Sequence, residues 1–133
     1  MEIVWFKRDL RIIDHAPLVE AAECGAVCPL YIFEPDIWSQ PDASRRHYEF
    51  LLESLTELDA ALSALGQGLI IRVGNAVEVL DTLKAETGFT RLWSHQETGN
   101  SWSYSRDLAV KEWARANGVS WKERKQHGVM RGT

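Results

Sequence analysis

With 133 residues, 45% hydrophobic and 26% charged, the chain has the size and make-up of one globular domain, long enough to bury a core without disulfide or metal support. No apolar run approaches the ~18 residues of a membrane span, and Met1-Glu2-Ile3-Val4-Trp5 lacks the parts of a secretory signal, so a soluble, cytoplasmic protein is expected. Fifteen basic against nineteen acidic residues leave a net charge of -4, which gives this chain alone weak or no grip on DNA or RNA.

A β-rich run over 2–6 opens a pattern that repeats along the chain. Further β-rich runs are predicted over 27–33, 69–73, 91–94 and 119–123, and helices over 16–24, 44–65, 76–87 and 101–117. Gly25, Gly66, Gly88 and Gly118 each follow a predicted helix, where a left-handed residue commonly ends the turn. The run from Val27 to Phe33 is nearly all apolar, which suits a strand covered on both faces. Leu51, Leu55, Leu58, Leu62 and Leu65 draw one stripe along the longest helix, with Ser44 as its N-cap; Val77, Leu80 and Leu83 repeat the stripe after a cap at Asn75. Strands alternating with helices predict an α/β fold: a Rossmann-like, doubly wound, five-stranded parallel sheet in three α/β/α layers. The expected order is 3-2-1-4-5, with a crevice at the carboxyl ends of strands 1 and 4. The domain should occupy residues 1–124. Residues 125–133 read as a connector, so the chain is expected to be the N-terminal part of something longer.

The turn after the first strand, from Lys7 to Ala16, contains no glycine, which argues against the GxGxxG site of a dinucleotide-binding fold. It packs Lys7, Arg8 and Arg11 beside Asp9 and Asp14. Two readings stand: a network of ion pairs joining Arg8 or Arg11 to Asp9 or Asp14, or a basic lip facing a phosphate or a neighbouring domain. Cys24 and Cys28 match neither a redox nor a zinc spacing and are expected to be buried, reduced thiols. No nucleophile-elbow sequence is present, and neither catalytic nor metal-binding residues are predicted.

Val4-Trp5-Phe6-Lys7-Arg8-Asp9-Leu10-Arg11, followed by Asp14 and Ala16-Pro17-Leu18, closely resembles the opening of the photolyase/cryptochrome family, with Lys7 for the usual Arg and His15 for the usual Asn. The likeness continues through Val27–Phe33 with Glu34-Pro35, through Ser44, Arg46, Phe50-Leu51, Ser54-Leu55 and Leu58, through Gly74-Asn75-Ala76, and through Tyr104, Arg106-Asp107 and Val110. The resemblance implies the N-terminal α/β domain, which seats an antenna chromophore. The catalytic FAD and the tryptophan relay belong to a C-terminal helical domain beyond this chain. The whole protein would be a light-driven DNA photolyase, a carbon–carbon lyase that repairs pyrimidine dimers, and this domain would be catalytically silent alone. The alternatives are the same domain of a cryptochrome photoreceptor, or a stand-alone flavin- or nucleotide-binding module.

By the same resemblance, an antenna (methenyltetrahydrofolate, a deazaflavin or a flavin) would sit near the ends of strands 2 and 4. The candidate contacts are Trp38, His95, Glu97, Asn100 and Trp102. Aromatic faces with a few aimed polar groups are what a planar heteroaromatic ligand needs. Each has a structural counterpart reading: Trp38 as a loop anchor, Asn100 or Ser101 as a helix cap, Glu97 as the partner of Arg106, Trp102 as packing on its own helix. The stretch from Glu97 to Trp102 departs from better-known members, and Pro41 stands near one folate-contacting histidine of the family, so the antenna's identity stays open. His47 is expected to be solvated, Trp93 and Trp113 to lie in the core, and Trp121 to be core or covered interdomain surface.

Overall fold

The computed structural model describes residues 1–7, 9–35, 45–96 and 101–125, with residues 45–47 as backbone only. The elements run β1 (Glu2–Phe6), α1 (Ala16–Cys24), β2 (Val27–Phe33), α2 (Arg45–Ala64), β3 (Ile70–Val73), α3 (Ala76–Thr87), β4 (Arg91–His95), α4 (Ser101–Ala116) and β5 (Ser120–Arg124). All five strands are parallel, in the order β3-β2-β1-β4-β5. This is the predicted doubly wound sheet. Because neighbouring strands run parallel, each needs a crossover, and the helices supply it while covering both faces.

Alternation along the strands divides the core in two. Ile3 and Trp5 of β1 face one side, with Leu30, Ile32, Leu80, Leu83, Leu92 and Trp113, under α3 and α4. Val4 and Phe6 face the other, with Ala21, Leu58, Leu62 and Trp93, under α1 and α2. Trp93 and Trp113 are therefore core, as predicted, and Trp121 is partly buried against the first cluster. The leucine stripe of α2 stops at Leu62; Leu65 is exposed because the helix has already ended at Ala64. Of the two cysteines only Cys28 is buried. It points from β2 into the core, and burial pushes its thiol upward, whereas Cys24 ends α1 on the solvent side.

The caps differ in kind. Asn75 accepts hydrogen bonds from Val77 N and Glu78 N at 2.9 and 3.3 Å, and Gly88 closes the same helix at φ 70°, its N–H donating to Lys84 O. Gly25, by contrast, is extended at φ 165°, so α1 does not end in the left-handed residue its glycine suggested. Ser44 lies outside the described residues, as does Arg8. Asn75→Ala is expected to cost about 1 kcal/mol of unfolding free energy, read as a lower urea midpoint with unchanged slope. Among the described residues no helix is long and apolar enough to cross a membrane.

Candidate functional site

The order of strands reverses between β1 and β4, and a doubly wound sheet opens its crevice at that point, at the strands' carboxyl ends. Here the crevice floor is filled by the protein's own polar side chains. Asp9, just after β1, is buried; its Oδ1 accepts from Lys7 N at 2.7 Å. Its Oδ2 meets His15 Nε2 at 2.6 Å and His95 Nδ1 at 2.8 Å. Both histidines are buried, with ring centroids 4.5 Å apart. Burial alone would push the Asp9 carboxyl upward; the hydrogen bonds from His15 and His95 outweigh it and hold the group well below the usual carboxylate range. A carboxylate at this place also repels a pyrophosphate, which agrees with the missing glycines of the turn.

The expected arginine–aspartate network is therefore not what holds Asp9. Arg11 donates instead to the carbonyls of Ile13 and Asp14, at 3.0 and 3.2 Å, where Asp14 turns the chain at φ 53°. The imidazoles win because both point inward at fixed positions. His15 is the N-cap of α1, and β4 runs one residue longer than predicted, so His95 is a strand residue paired with Arg124, and the next amide, Gln96 N, donates to Arg124 O.

Asp9, His15 and His95 bring one oxygen and two nitrogens close enough for a metal. The ring of His15 argues against coordination. Its Nδ1 accepts the N–H of Leu18 at 3.1 Å, so in the neutral ring Nε2 carries the proton. A metal at Nε2 would require an imidazolate. The trio is arranged to hold protons.

A second constellation lies alongside, built on α4. Arg106 is buried and donates from Nη1 to Glu34 Oε1 at 2.7 Å and from Nε to Asp107 Oδ1 at 2.9 Å. Its guanidinium stands 5.0 Å from the centroid of Trp5 and 5.4 Å from that of Trp102. The Lys7 ammonium reaches Asp107 at 3.4 Å and lies over Trp5 and Trp121, at 4.5 and 5.2 Å. Glu123 of β5 is pushed upward, first by its burial; Lys7 draws it down while Asp107 raises it. Trp121 donates from Nε1 to Ser94 Oγ at 2.9 Å. Beside Arg106 opens a cavity of about 360 Å³, lined by Glu34, Pro35, Asn75, Val77, Trp102 and Ser105 among others. It sits where β2 and β3 end and α3 and α4 begin, at the small end of the ~300–1,000 Å³ of ligand pockets.

Of the five predicted contacts, the structure describes two. Half-buried Trp102 lines the cavity, whereas His95 belongs to the Asp9 trio and is not among the lining residues. Trp38, Glu97 and Asn100 lie outside the described residues. Among the described residues Arg106 pairs with the carboxylates of Glu34 and Asp107, and the Glu97 partner considered from sequence lies outside them. Glu34 and Arg106 were legible only as parts of the family pattern, since neither spacing nor periodicity brings positions so far apart together.

The family model for DNA photolyase matches residues 2–131. The chain belongs to the DNA photolyase family. Cryptochrome-1 of Aedes aegypti is 31% identical over 132 residues, 94% of this chain and 24% of that protein. The (6-4)DNA photolyase of Arabidopsis thaliana is 31% identical over 128 residues, 88% of this chain and 23% of that protein. Among solved structures, the archaeal photolyase of Sulfolobus tokodaii superposes with a TM-score of 0.83 at 27% identity, over 94% of this chain and 29% of that one. That photolyase holds two FAD molecules, with the implication of a novel light-harvesting cofactor. The chain thus spans about a quarter of the length of these curated relatives, which include both photolyases and cryptochromes.

Proposed function

We propose that this chain is the antenna-chromophore domain of a light-driven deoxyribodipyrimidine photolyase, silent alone and completed by a C-terminal helical domain that carries FAD and meets damaged DNA. The observation that carries this reading is the cavity beside Arg106. Its wall is the half-buried ring of Trp102, and the buried Glu34–Arg106 pair supplies directed polarity. A fused heteroaromatic ring needs that combination, and the volume suits one ring system. The β1–α1 turn supports the same division of labour, because its buried carboxylate leaves no place for a pyrophosphate. A bound antenna would supply light absorption. The residues of this chain bind it, orient it and keep water off it, with Trp102 stacking and Arg106 held rigid by Glu34 and Asp107.

A second reading, the same domain of a cryptochrome photoreceptor, is favoured by cryptochromes such as those of Aedes aegypti and Sinapis alba, at 31% and 37% identity. The two readings share the site and differ in the activity of the whole protein.

The test is a titration of the 133-residue chain with methenyltetrahydrofolate, deazaflavin, FMN and FAD in turn, followed by ligand absorption and fluorescence. Saturable binding of one chromophore is expected, weakened about tenfold or more in Trp102→Ala, the order of one lost stacking contact. Binding of every chromophore unchanged in that variant would remove the cavity from consideration. Tight binding of FAD alone would favour a stand-alone flavin module.

A further inference from the structure

We propose that the outer edge of β3 is a docking strand for a second copy of this chain, which pairs with it antiparallel about a two-fold axis at Arg72. The sheet has two edges, β3 and β5, and they differ in kind. β5 carries Lys122, Glu123 and Arg124, with Arg124 tied back to Glu20, and such charges oppose the addition of a strand. β3 reads Ile70-Ile71-Arg72-Val73, with neither proline nor lysine to guard it. Its Ile71 is 49% exposed and its Val73 68%.

The backbone sets the register. Gly74 N donates to Phe33 O at 2.9 Å, so Ile70, Arg72 and Gly74 turn their N–H and C=O groups to β2. Ile71 and Val73 turn theirs outward. Two outward positions flanking one residue are self-complementary about a dyad at that residue. Ile71 exchanges both hydrogen bonds with Val73 of the second copy, and Val73 does the same with its Ile71. Arg72 then stands opposite Arg72 as the close, non-hydrogen-bonded pair. Every outward group of β3 is satisfied, and two five-stranded sheets become one.

The side chains obey the same axis. Ile71 lies opposite Tyr31, which lies opposite Phe6, so Ile71 and Val73 share the α2 side of the sheet. The flank of α2 extends their apolar surface. Asp59 Oδ1 accepts Leu69 N at 2.9 Å just before β3, and Tyr48 meets Phe33, the neighbour of Val73, edge-on at 5.7 Å. Leu52, four residues after Tyr48 and seven before Asp59, lies on that flank and is 45% exposed. On the opposite face Arg72 Nη2 donates to Glu86 Oε1 of α3 at 3.0 Å. That ion pair is half used: Nε and Nη1 of the arginine and Oε2 of the glutamate have no partner among the described residues. Across the dyad these unused edges complement one another, and two like charges become an alternating quartet of arginines and glutamates. A four-residue strand makes a small interface, so the dimer is reversible rather than obligate.

The test is analytical ultracentrifugation of the 133-residue chain from about 5 to about 500 μM, a span suited to a small interface. The weight-average mass should climb from 15.1 kDa toward twice that value. Ile71→Lys, at an exposed position, should keep the urea midpoint and weaken association about tenfold or more. Disulfide trapping reads the register, in a Cys24→Ser background that removes the exposed thiol and leaves only buried Cys28. Arg72→Cys should cross-link to itself, because a non-hydrogen-bonded pair sets its Cα atoms about 4.5 Å apart, within disulfide range. Val73→Cys, which the antiparallel stagger separates from its own copy, should not. A mass that stays at 15.1 kDa to the upper limit overturns the dimer and leaves the edge to another occupant. A dimer that Ile71→Lys does not weaken, or that cross-links through Val73→Cys in preference to Arg72→Cys, overturns it as well.

Discussion

Asp9→Ala is expected to lower the unfolding free energy by about 3–5 kcal/mol, among the largest effects of any single substitution in this chain. The side chain is 2% exposed and satisfies three N–H groups: those of Lys7, His15 and His95. Removing it strands all three in the interior, where each lost partner costs about 1–3 kcal/mol and the losses are not additive. Asp9→Asn should cost somewhat less. It keeps an acceptor, but its NH₂ must face an N–H on one side or the other. Urea unfolding at neutral pH measures both. The acid limb separates charge from packing. The folded Asp9 carboxyl is held well below the ordinary value of 3.8, chiefly by the two histidines against the opposing effect of burial. Between the folded and the unfolded values the unfolded chain binds the extra proton, so stability rises with pH there. The Asp9 contribution is therefore complete above about pH 5 and is lost as the pH falls below the unfolded value toward the folded one. The difference in stability between wild type and Asp9→Asn should shrink over that acid window. A difference that stays constant with pH would assign the effect to packing rather than to the carboxylate charge.

The sheet was legible because its signals are local and redundant. The apolar run of β2, the Asn75 cap and the glycine of α3 each point to one answer, and the observed order of strands is the predicted one. Element ends moved by a residue, and at β4 that residue mattered. Extending the strand to His95 turned a candidate loop ligand into part of a rigid buried trio. The trio itself was hidden for a physical reason. Asp9 and His15 are close in sequence, but their shared partner lies on β4, and only the pairing of β1 with β4 brings it alongside. One trace was visible: His15 stands where the family usually has Asn, a side chain that also caps. Likewise Arg106 and Glu34 meet through the crossover of β2 and α4, which charge patterning within either segment does not reveal. What the sequence does expose, an excess of charge in the β1–α1 turn, misled on its partners. The arginines looked matched to the aspartates by proximity, whereas the fold presents Asp9 to two inward imidazoles.

Arg106 provides the second large effect and joins stability to the candidate site. Arg106→Ala is expected to cost about 3–5 kcal/mol, because it leaves the buried Glu34 carboxylate without this guanidinium. It should also abolish saturable chromophore binding, since the same side chain lines the cavity and supports the ring of Trp102. Arg106→Lys should recover part of the stability but little of the binding. An ammonium can pair with Glu34, but it cannot bridge Glu34 and Asp107 with a planar fork while lying against two indoles. The cycle with Glu34→Gln decides what the arginine does. If its main stabilising role is to neutralise a buried carboxylate, the double variant Arg106→Ala/Glu34→Gln will be more stable than Arg106→Ala alone, by about 1–3 kcal/mol of coupling. Equal stability of the two would place the stabilisation in the stack on Trp5 and Trp102. In that case Arg106→Lys, which keeps the charge and loses the plane, should be nearly as damaging as alanine. Denaturant midpoints of the four proteins, with chromophore affinity measured on each, distinguish a charge-neutralising arginine from one that acts as the spacer between two indole rings.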